Sequence, residues 1–243
     1  MPIKAERGFV IPAFNTDSVD YVACAEQLAT SIRRFHPAAD ITILTNNDVS
    51  ATDLQGQALD YYAYRLSPYR QTIKLEADMI MTGPCEHWFD IMQHRDLCIS
   101  TGCEDFYGNR ATSRFYRKFL DNNNLPDVYN AITYWRISNL AHEFFTWCRR
   151  IFTEWDRYRR LVKFADDQPT TDFVYAMAAQ IVGPELVTMP FATFPRIRHF
   201  KQHILGTTTN NWTQELVWED DPVRINTVAQ WGAVHYVEKT WTI

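Results

Sequence analysis

The first 45 residues place the strongest constraint on the fold. Residues 8 to 14, Gly-Phe-Val-Ile-Pro-Ala-Phe, form a short apolar run ended by Asn15-Thr16-Asp17-Ser18, the pattern of a buried strand followed by a helix cap. Val22, Ala25, Ala29, Ile32 and Phe35 then recur at spacings of three and four, which predicts a helix over 18–35 that stops before His36-Pro37. Ile41 to Leu44 supply a second strand. A strand, helix, strand opening implies a parallel sheet with a right-handed crossover, and such sheets bind ligands at the carboxyl ends of their strands, here near Phe14 to Thr16.

The alternation continues with strands expected at Tyr61 to Leu66, Ile73 to Met81 and Val128 to Trp135, and helices at 85–94, 111–122, 138–163 and 170–182. In the long helix, Phe144, Cys148, Ile151, Trp155, Tyr158 and Val162 form one apolar stripe, expected to be core. Beyond residue 182 the chain reads as irregular and aromatic. There is no repeat and no Pro- or Gly-rich linker, so residues 1–243 read as one unit.

Glycine spacing narrows the chemistry. No two of the eight glycines have the spacing of a dinucleotide-binding turn, a phosphate-binding P-loop or a nucleophile elbow. Five cysteines without a C-x-x-C pair suggest neither a disulfide framework nor a zinc site, and point to a reducing cytoplasm. No stretch has the apolar length of a signal peptide or membrane span. A formal net charge of -5 argues weakly against nucleic acid, although the distribution of charge matters more.

In the stretch 73–79, Lys74, Glu76 and Asp78 alternate with Ile73, Leu75, Ala77 and Met79, so both carboxylates are expected on one face of an extended segment. On a central strand such a pair needs a metal or a base; on an edge strand it is a solvated acidic face, which spacing alone favours. The longer pattern Tyr-Arg-Gln-Thr-Ile-Lys-Leu-Glu-Ala-Asp-Met-Ile, residues 69–80, resembles the D-x-D segment of GT-A glycosyltransferases, especially family 8, with Glu76 in place of the first aspartate.

The resemblance implies a GT-A-like, Rossmann-type, three-layer α/β/α fold with a central, mostly parallel sheet. It implies Mn²⁺ or Mg²⁺ held by Glu76 and Asp78, and hard oxygen ligands suit those ions. Val-His-Tyr-Val-Glu-Lys-Thr-Trp, residues 234–241, resembles the family's C-terminal segment. His235 would then complete the metal shell and Lys239 would meet the donor diphosphate. Read alone, these two are a half-buried strand histidine and a solvated lysine.

Asp166-Asp167-Gln168 resembles the family's Asp-Gln segment, which assigns Asp167 and Gln168 to the transferred sugar; Asp172 competes as the carboxylate nearest the reaction. The same stretch also reads as a loop and helix cap. Asn130 resembles the asparagine facing the donor sugar, and is otherwise a turn residue. The resemblance further places Ala13, Phe14, Asn15, Arg70 and Lys74 at the donor, Arg70 being otherwise a surface residue. It implies a nucleotide-sugar donor of the UDP-sugar kind and a retaining transfer.

Three basic clusters stand out: Arg149, Arg150, Arg157, Arg159, Arg160 and Lys163; Arg196, Arg198, His199, Lys201 and His203; and Arg110, Arg114, Arg117 and Lys118. Each is either a solvated face or an anchor for a polyanion such as DNA. The Ile-Lys-Leu-Glu-Ala-Asp and Asp-Asp-Gln-Pro-Thr-Thr-Asp segments look like those of tailed-bacteriophage glycosyltransferases, some of which decorate 5-hydroxymethylcytosine in DNA. That resemblance makes DNA the leading acceptor, with Arg149, Arg150, Arg160 and Arg198 contacting it and Trp135, Trp147, Trp212 or Trp218 available to stack on a flipped base. The competing readings are a phosphodiesterase built on Glu76, Asp78, Glu104, Asp105 and Asp167, and a non-catalytic glycan- or DNA-binding protein.

Overall fold

A computed structural model of the chain describes residues 3–49, 59–104, 107–108, 117–189, 197–199, 215–218, 221–225, 227–236 and 239. It opens with β1 (Ala5–Pro12), α1 (Tyr21–Phe35) and β2 (Ile41–Leu44), and β1 and β2 pair in parallel with Phe9 opposite Ile41. Helix α1 starts later than its apolar period suggests because Asp20 caps it. The Asp20 carboxylate accepts from the Ala23 amide at 3.0 Å, satisfying a donor that has no partner inside the helix.

Residues 61–66, expected as a strand, are helical: α2 (Leu59–Leu66). A short apolar run has no decisive period, and packing settles it, with Tyr64 stacked on Phe145 at 4.7 Å between ring centres. The expected strand from Ile73 to Met81 is two strands. β3 (Tyr69–Leu75) ends before the acidic pair, and β4 (Met79–Met81) joins a different sheet. Helix α3 (His87–Met92) and β5 (Leu97–Ser100) follow, then α4 (Arg117–Asn122) and β6 (Tyr129–Arg136). Residues 111–116 of the expected fourth helix lie outside the described residues.

The expected single helix over 138–163 is α5 (Asn139–Thr153) and α6 (Trp155–Leu161), broken at Glu154, whose φ of -107° and ψ of 29° are not helical. The Thr153 hydroxyl donates to the carbonyls of Arg149 and Arg150, competing for the backbone at that point. The apolar stripe survives the break, and Phe144, Cys148, Ile151, Trp155 and Tyr158 are all buried. Helices α7 (Thr171–Val182) and α8 (Pro184–Val187) come next. Among its described residues, the stretch beyond 189, expected to be irregular, carries short strands: β7 (Ile197–His199), β8 (Leu216–Val217), β9 (Arg224–Ile225), β10 (Val228–Ala229) and β11 (Ala233–His235).

The main sheet has the order β2-β1-β3-β6-β5. Strands β2, β1, β3 and β5 point one way and β6 runs against them. One face packs on α2, α5 and α7 through Val10, Trp135, Phe145 and Tyr175; the other packs on α1 and α3 through Ile11, Leu28, Tyr134 and Trp88. The result is the expected three-layer α/β/α arrangement, in which each fully buried large side chain contributes about 1.5–3 kcal/mol. Two small sheets, β4-β11-β7 and β10-β9-β8, lie beside it. All five cysteines are free and buried, and no helix among the described residues is long and apolar enough to cross a membrane.

Gly8 lets this sheet close. The Tyr69 ring lies where a Cβ on Gly8 would be, and its hydroxyl continues across β1 to the Thr42 hydroxyl at 2.8 Å on β2. A methyl at position 8 has to displace that ring. Gly8→Ala is therefore expected to lose about 1–3 kcal/mol of stability in urea unfolding, and a variant as stable as the wild type would refute this packing.

Candidate active site

The carboxyl ends of β1 and β3 meet the start of β6 on one edge of the sheet, and there the backbone changes direction. The Glu76 amide donates to the Ala131 carbonyl at 3.2 Å, after which the chain turns through Ala77 and Asp78 into β4. The carboxylates thus stand at a strand end and its turn, not along one face of a strand as alternation suggests. Strand β11 then pairs antiparallel with β4, His235 opposite Met79, and the Tyr236 amide donates to the Asp78 carbonyl at 3.1 Å.

That pairing brings the distant segments together. His235 Nε2 lies 3.0 Å from Asp78 Oδ2 and 3.3 Å from Glu76 Oε2. One donor atom from each of the three residues falls within 4.8 Å of the others, and among the described residues this is the one such group of three. Two carboxylates and an imidazole suit Mg²⁺ or Mn²⁺, so the donor set fits the implied ion. Lys239 Nζ also bonds the Asp78 carboxylate, and donates to the Tyr236 carbonyl at 3.2 Å. Burial pushes its ammonium below the ordinary lysine range, against the pull of Glu76.

Behind this cluster sits Lys74, 2% exposed on β3 at the centre of the sheet. Its Nζ lies 2.8 Å from Asp60 Oδ1 on α2 and donates to the Asn130 carbonyl at 3.1 Å. The Asn130 backbone amide donates to Asp172 Oδ1 at 2.7 Å. The Asn130 side chain satisfies its neighbours when its nitrogen donates to Glu76 Oε1 at 3.2 Å and Asp172 Oδ1 at 2.9 Å and its oxygen accepts from Lys74 at 3.2 Å. Burial works against the Lys74 charge, but Asp60, Glu76 and Asp172 more than offset it and raise its pKa.

These groups surround a cleft of about 580 Å³ lined by Phe14, Asn15, Asp60, Lys74, Glu76, Asp78, Asn130 and His235, among others. Ala13 is wholly buried behind Phe14, its amide on the Leu44 carbonyl at 2.7 Å. The Asn15 side chain accepts from the Val22 amide and donates to Asp20, both at 2.9 Å, so it organises the start of α1. Around the cleft, the carboxylates Asp60, Glu76, Asp78 and Asp172 outnumber the ammonium groups Lys74 and Lys239, an excess that a divalent cation would match.

Other expected residues lie elsewhere. Arg70 sits at the opposite end of β3, exposed and 3.6 Å from Glu6, because six extended residues carry the chain about 20 Å from there to Glu76. Asp167 and Gln168 are exposed in the loop before α7, which is held to α6 by the Trp155 indole donating to the Asp166 carbonyl at 3.3 Å. Asp167 lines a separate shallow depression with Glu154, Arg157 and Arg159. Of that segment it is Asp172, in the first turn of α7, that reaches the cleft network.

Arg198 is not a surface contact. It is 4% exposed and donates to the Gln230 side chain at 2.7 Å and the Ala229 carbonyl at 2.9 Å, with Glu104 3.9 Å away. Trp135 is 1% exposed in the core, which removes it as a stacking partner. Trp147 is partly buried under Arg150 and Trp218 lies under Arg34. Arg149 lies over the Tyr61 ring at 5.1 Å, Arg160 is exposed, and Arg150, Arg157 and Arg159 pair with Glu154 or Asp156, which partly neutralises that face. Asp105, Arg110, Arg114, Arg196, Lys201, His203 and Trp212 lie outside the described residues, as do the side chains of Arg117 and His199. Of the acids of a phosphodiesterase site that are described, Glu104 lies beside Arg198 and Asp167 in another depression, so these two do not join Glu76 and Asp78.

Sequence reasoning misses Asp60 and Tyr129. Asp60 is hidden because it stands just before a stretch, Tyr61 to Leu66, that reads as a strand, and Tyr129, whose hydroxyl bonds His235 Nδ1, carries no signal beyond its place before Asn130.

No protein-family model and no curated protein sequence matches the chain. Solved structures do. Mouse xyloside xylosyltransferase 1, in its apo form, superposes with a TM-score of 0.53 at 11% identity, over 97% of this chain and 99% of that one. Galactosyltransferase LgtC, solved with donor and acceptor sugar analogs, superposes with a TM-score of 0.51 at 14% identity, over 94% of this chain and 86% of that one. At such identities the likeness establishes the fold: the chain has the GT-A-like architecture of these glycosyltransferases.

The buried pair makes a sharp prediction. Lys74→Met strands Asp60 without its base and is expected to lose about 3–5 kcal/mol in urea unfolding, while Lys74→Met with Asp60→Leu recovers most of that loss. Because the folded lysine is raised, its contribution is complete below the ordinary lysine value of 10.5 and is lost as pH climbs through the raised folded value. Equal stability of the single variant and wild type at pH 7 would contradict the pairing.

Proposed function

We propose that the chain is a metal-dependent glycosyltransferase that moves a sugar from a nucleotide-sugar donor, of the UDP-sugar kind, to an acceptor hydroxyl with retention of configuration. The supporting observation is the meeting of Glu76, Asp78 and His235, with Lys239 beside them, in a cleft at the strand ends of a fold shared with a solved xylosyltransferase and galactosyltransferase.

In this reading Glu76, Asp78 and His235 hold Mn²⁺ or Mg²⁺, which when bound supplies positive charge against the diphosphate leaving group. Lys239 adds a second positive charge at the same place, and its contact with Asp78 keeps it there. Phe14 and Asn15 wall the nucleotide's side of the cleft, where Asn15 and Asn46 lock two strand ends together through a 2.7 Å hydrogen bond. Asn130 and Asp172 face the sugar. Their mutual hydrogen bonds fix both polar groups before substrate arrives, so no ordering cost falls on the reaction. Lys74 acts from beneath, as the buried positive charge set against Asp60, Glu76 and Asp172 in the cleft floor.

For the acceptor we favour the hydroxymethyl group of 5-hydroxymethylcytosine in DNA within a host cytoplasm, approached over the face carrying Arg149, Arg150 and Arg160. That face is supported by the exposed guanidinium groups of α5 and α6, and Arg149 stacks on Tyr61, one residue from Asp60 in the cleft wall.

Asp78→Ala and His235→Ala should each abolish Mn²⁺-dependent UDP binding in calorimetry while the protein still unfolds cooperatively in urea. Wild-type UDP affinity in both variants would reject the site. Arg149→Glu combined with Arg160→Glu should weaken binding to hydroxymethylated DNA by at least about tenfold and flatten its salt dependence by about two contacts, with Mn²⁺-dependent UDP affinity unchanged. DNA affinity equal to wild type in fluorescence anisotropy would remove DNA from this face.

A further inference from the structure

His235 is held at both ring nitrogens. Nε2 faces Asp78 and Glu76 at 3.0 and 3.3 Å, and Nδ1 shares a hydrogen bond with the Tyr129 hydroxyl. Both side chains are buried, at 2% and 4% exposure, with ring centres 6.0 Å apart. Tyr129 is the first residue of β6 and His235 the last of β11, so this bond ties the main sheet to the small sheet that carries the cluster.

A neutral imidazole offers one N–H and one lone pair. With its hydrogen on Nε2, the ring donates to the two carboxylates and Nδ1 accepts from the tyrosine. With a lone pair on Nε2, the form that can ligate a cation, the hydrogen is on Nδ1 and needs an acceptor. A carbonyl at Tyr129's place would satisfy the second form alone, and an amide N–H the first alone. A phenol hydroxyl turns about its C–O bond and satisfies either.

We propose that Tyr129 is a positioning residue for the Glu76–Asp78–His235 cluster: its hydroxyl aims Nε2 at the two carboxylates and accepts the Nδ1 hydrogen when the Nε2 lone pair takes a divalent cation. The proposal rests on the reading of this cluster as a cation site. Removing the hydroxyl takes a donor from Nδ1 in the cation-free form and an acceptor from the Nδ1 hydrogen in the cation-bound form. There the cation on Nε2 makes that hydrogen more acidic and its hydrogen bond stronger, so cation affinity falls in addition to a modest cost in folding.

The test uses the full chain without any sugar nucleotide. Tyr129→Phe keeps the ring's volume, and Mn²⁺ binding followed by electron paramagnetic resonance should weaken by about 10–100-fold, the usual range for a lost partner behind a metal-ligating histidine. Urea unfolding of the Mn²⁺-free variant should stay cooperative, with only the modest loss of stability that one buried hydrogen bond accounts for. Independently, ¹⁵N-histidine NMR of the wild type should show the His235 hydrogen passing from Nε2 to Nδ1 as Mg²⁺ saturates; a ring that gains no Nδ1 hydrogen leaves the Tyr129 hydroxyl nothing to accept, a result that stands even if the variant folds poorly. Equal Mn²⁺ affinity in wild type and variant overturns the role of Tyr129 alone, whereas a wild-type His235 that keeps its Nε2 hydrogen at saturating Mg²⁺ takes His235 out of the cation's shell and overturns this proposal with it. A wild type that binds neither ion overturns the cation reading, and this proposal with it.

Discussion

The antiparallel pairing of β4 with β11 is the contact on which the candidate site depends. A three-residue strand a third of the way along the chain and one from its last tenth exchange main-chain hydrogen bonds, and the register sets His235 beside Met79. Slipping that register by one residue would turn His235 to the opposite face, away from Glu76 and Asp78. The register is anchored by burial, since Ile80, Met81, Ala233 and Val234 are all wholly enclosed. Position here follows from apolar packing, while chemistry follows from the polar atoms that the packing presents.

Charge at the floor of the cleft obeys the same economy. A lysine on the central strand of a sheet covered on both faces has no solvent to keep it ionised, and Lys74 stays charged because α2 delivers Asp60 to within 2.8 Å. The pair is connected through Asn130 to Asp172 and Glu76, so groups from α2, β3, β6 and α7 share one hydrogen-bonded system. Such a network is costly when partly satisfied and rigid when complete. Its completeness holds Asn130 and Asp172 in fixed orientations at the cleft. The basic helix face is different in kind: Arg150, Arg157 and Arg159 are exposed or half-exposed ion pairs of small individual worth, and Arg149 and Arg160 are the charges left to meet a polyanion.

Much of the architecture is legible in the residues. The three-four spacing of α1 and the stripe from Phe144 to Tyr158 carry a period strong enough to name the element, the apolar runs at 8–14 and 128–135 read as strands by composition and flanking turns, and the structure has an element at each. The misreadings share a cause. Tyr61 to Leu66 is too short for periodicity to separate strand from helix, and the alternation from Ile73 to Met79 conceals a strand end because the turn residues Ala77 and Asp78 happen to continue its pattern. In both places the deciding energy is contact with residues far along the chain, Phe145 in one case and β11 in the other.

By itself, then, the sequence determined the layered α/β class and nominated the acids at 76 and 78 together with His235, because periodicity and local motif are properties of neighbouring residues. Tertiary structure alone decided that Arg70, Asp167, Gln168 and Arg198 lie away from the cleft while Asp60 and Tyr129 enter its network. Strand direction, helix breaks and burial fix where a side chain ends up, and these are set by contacts between segments whose separation along the chain carries no local trace.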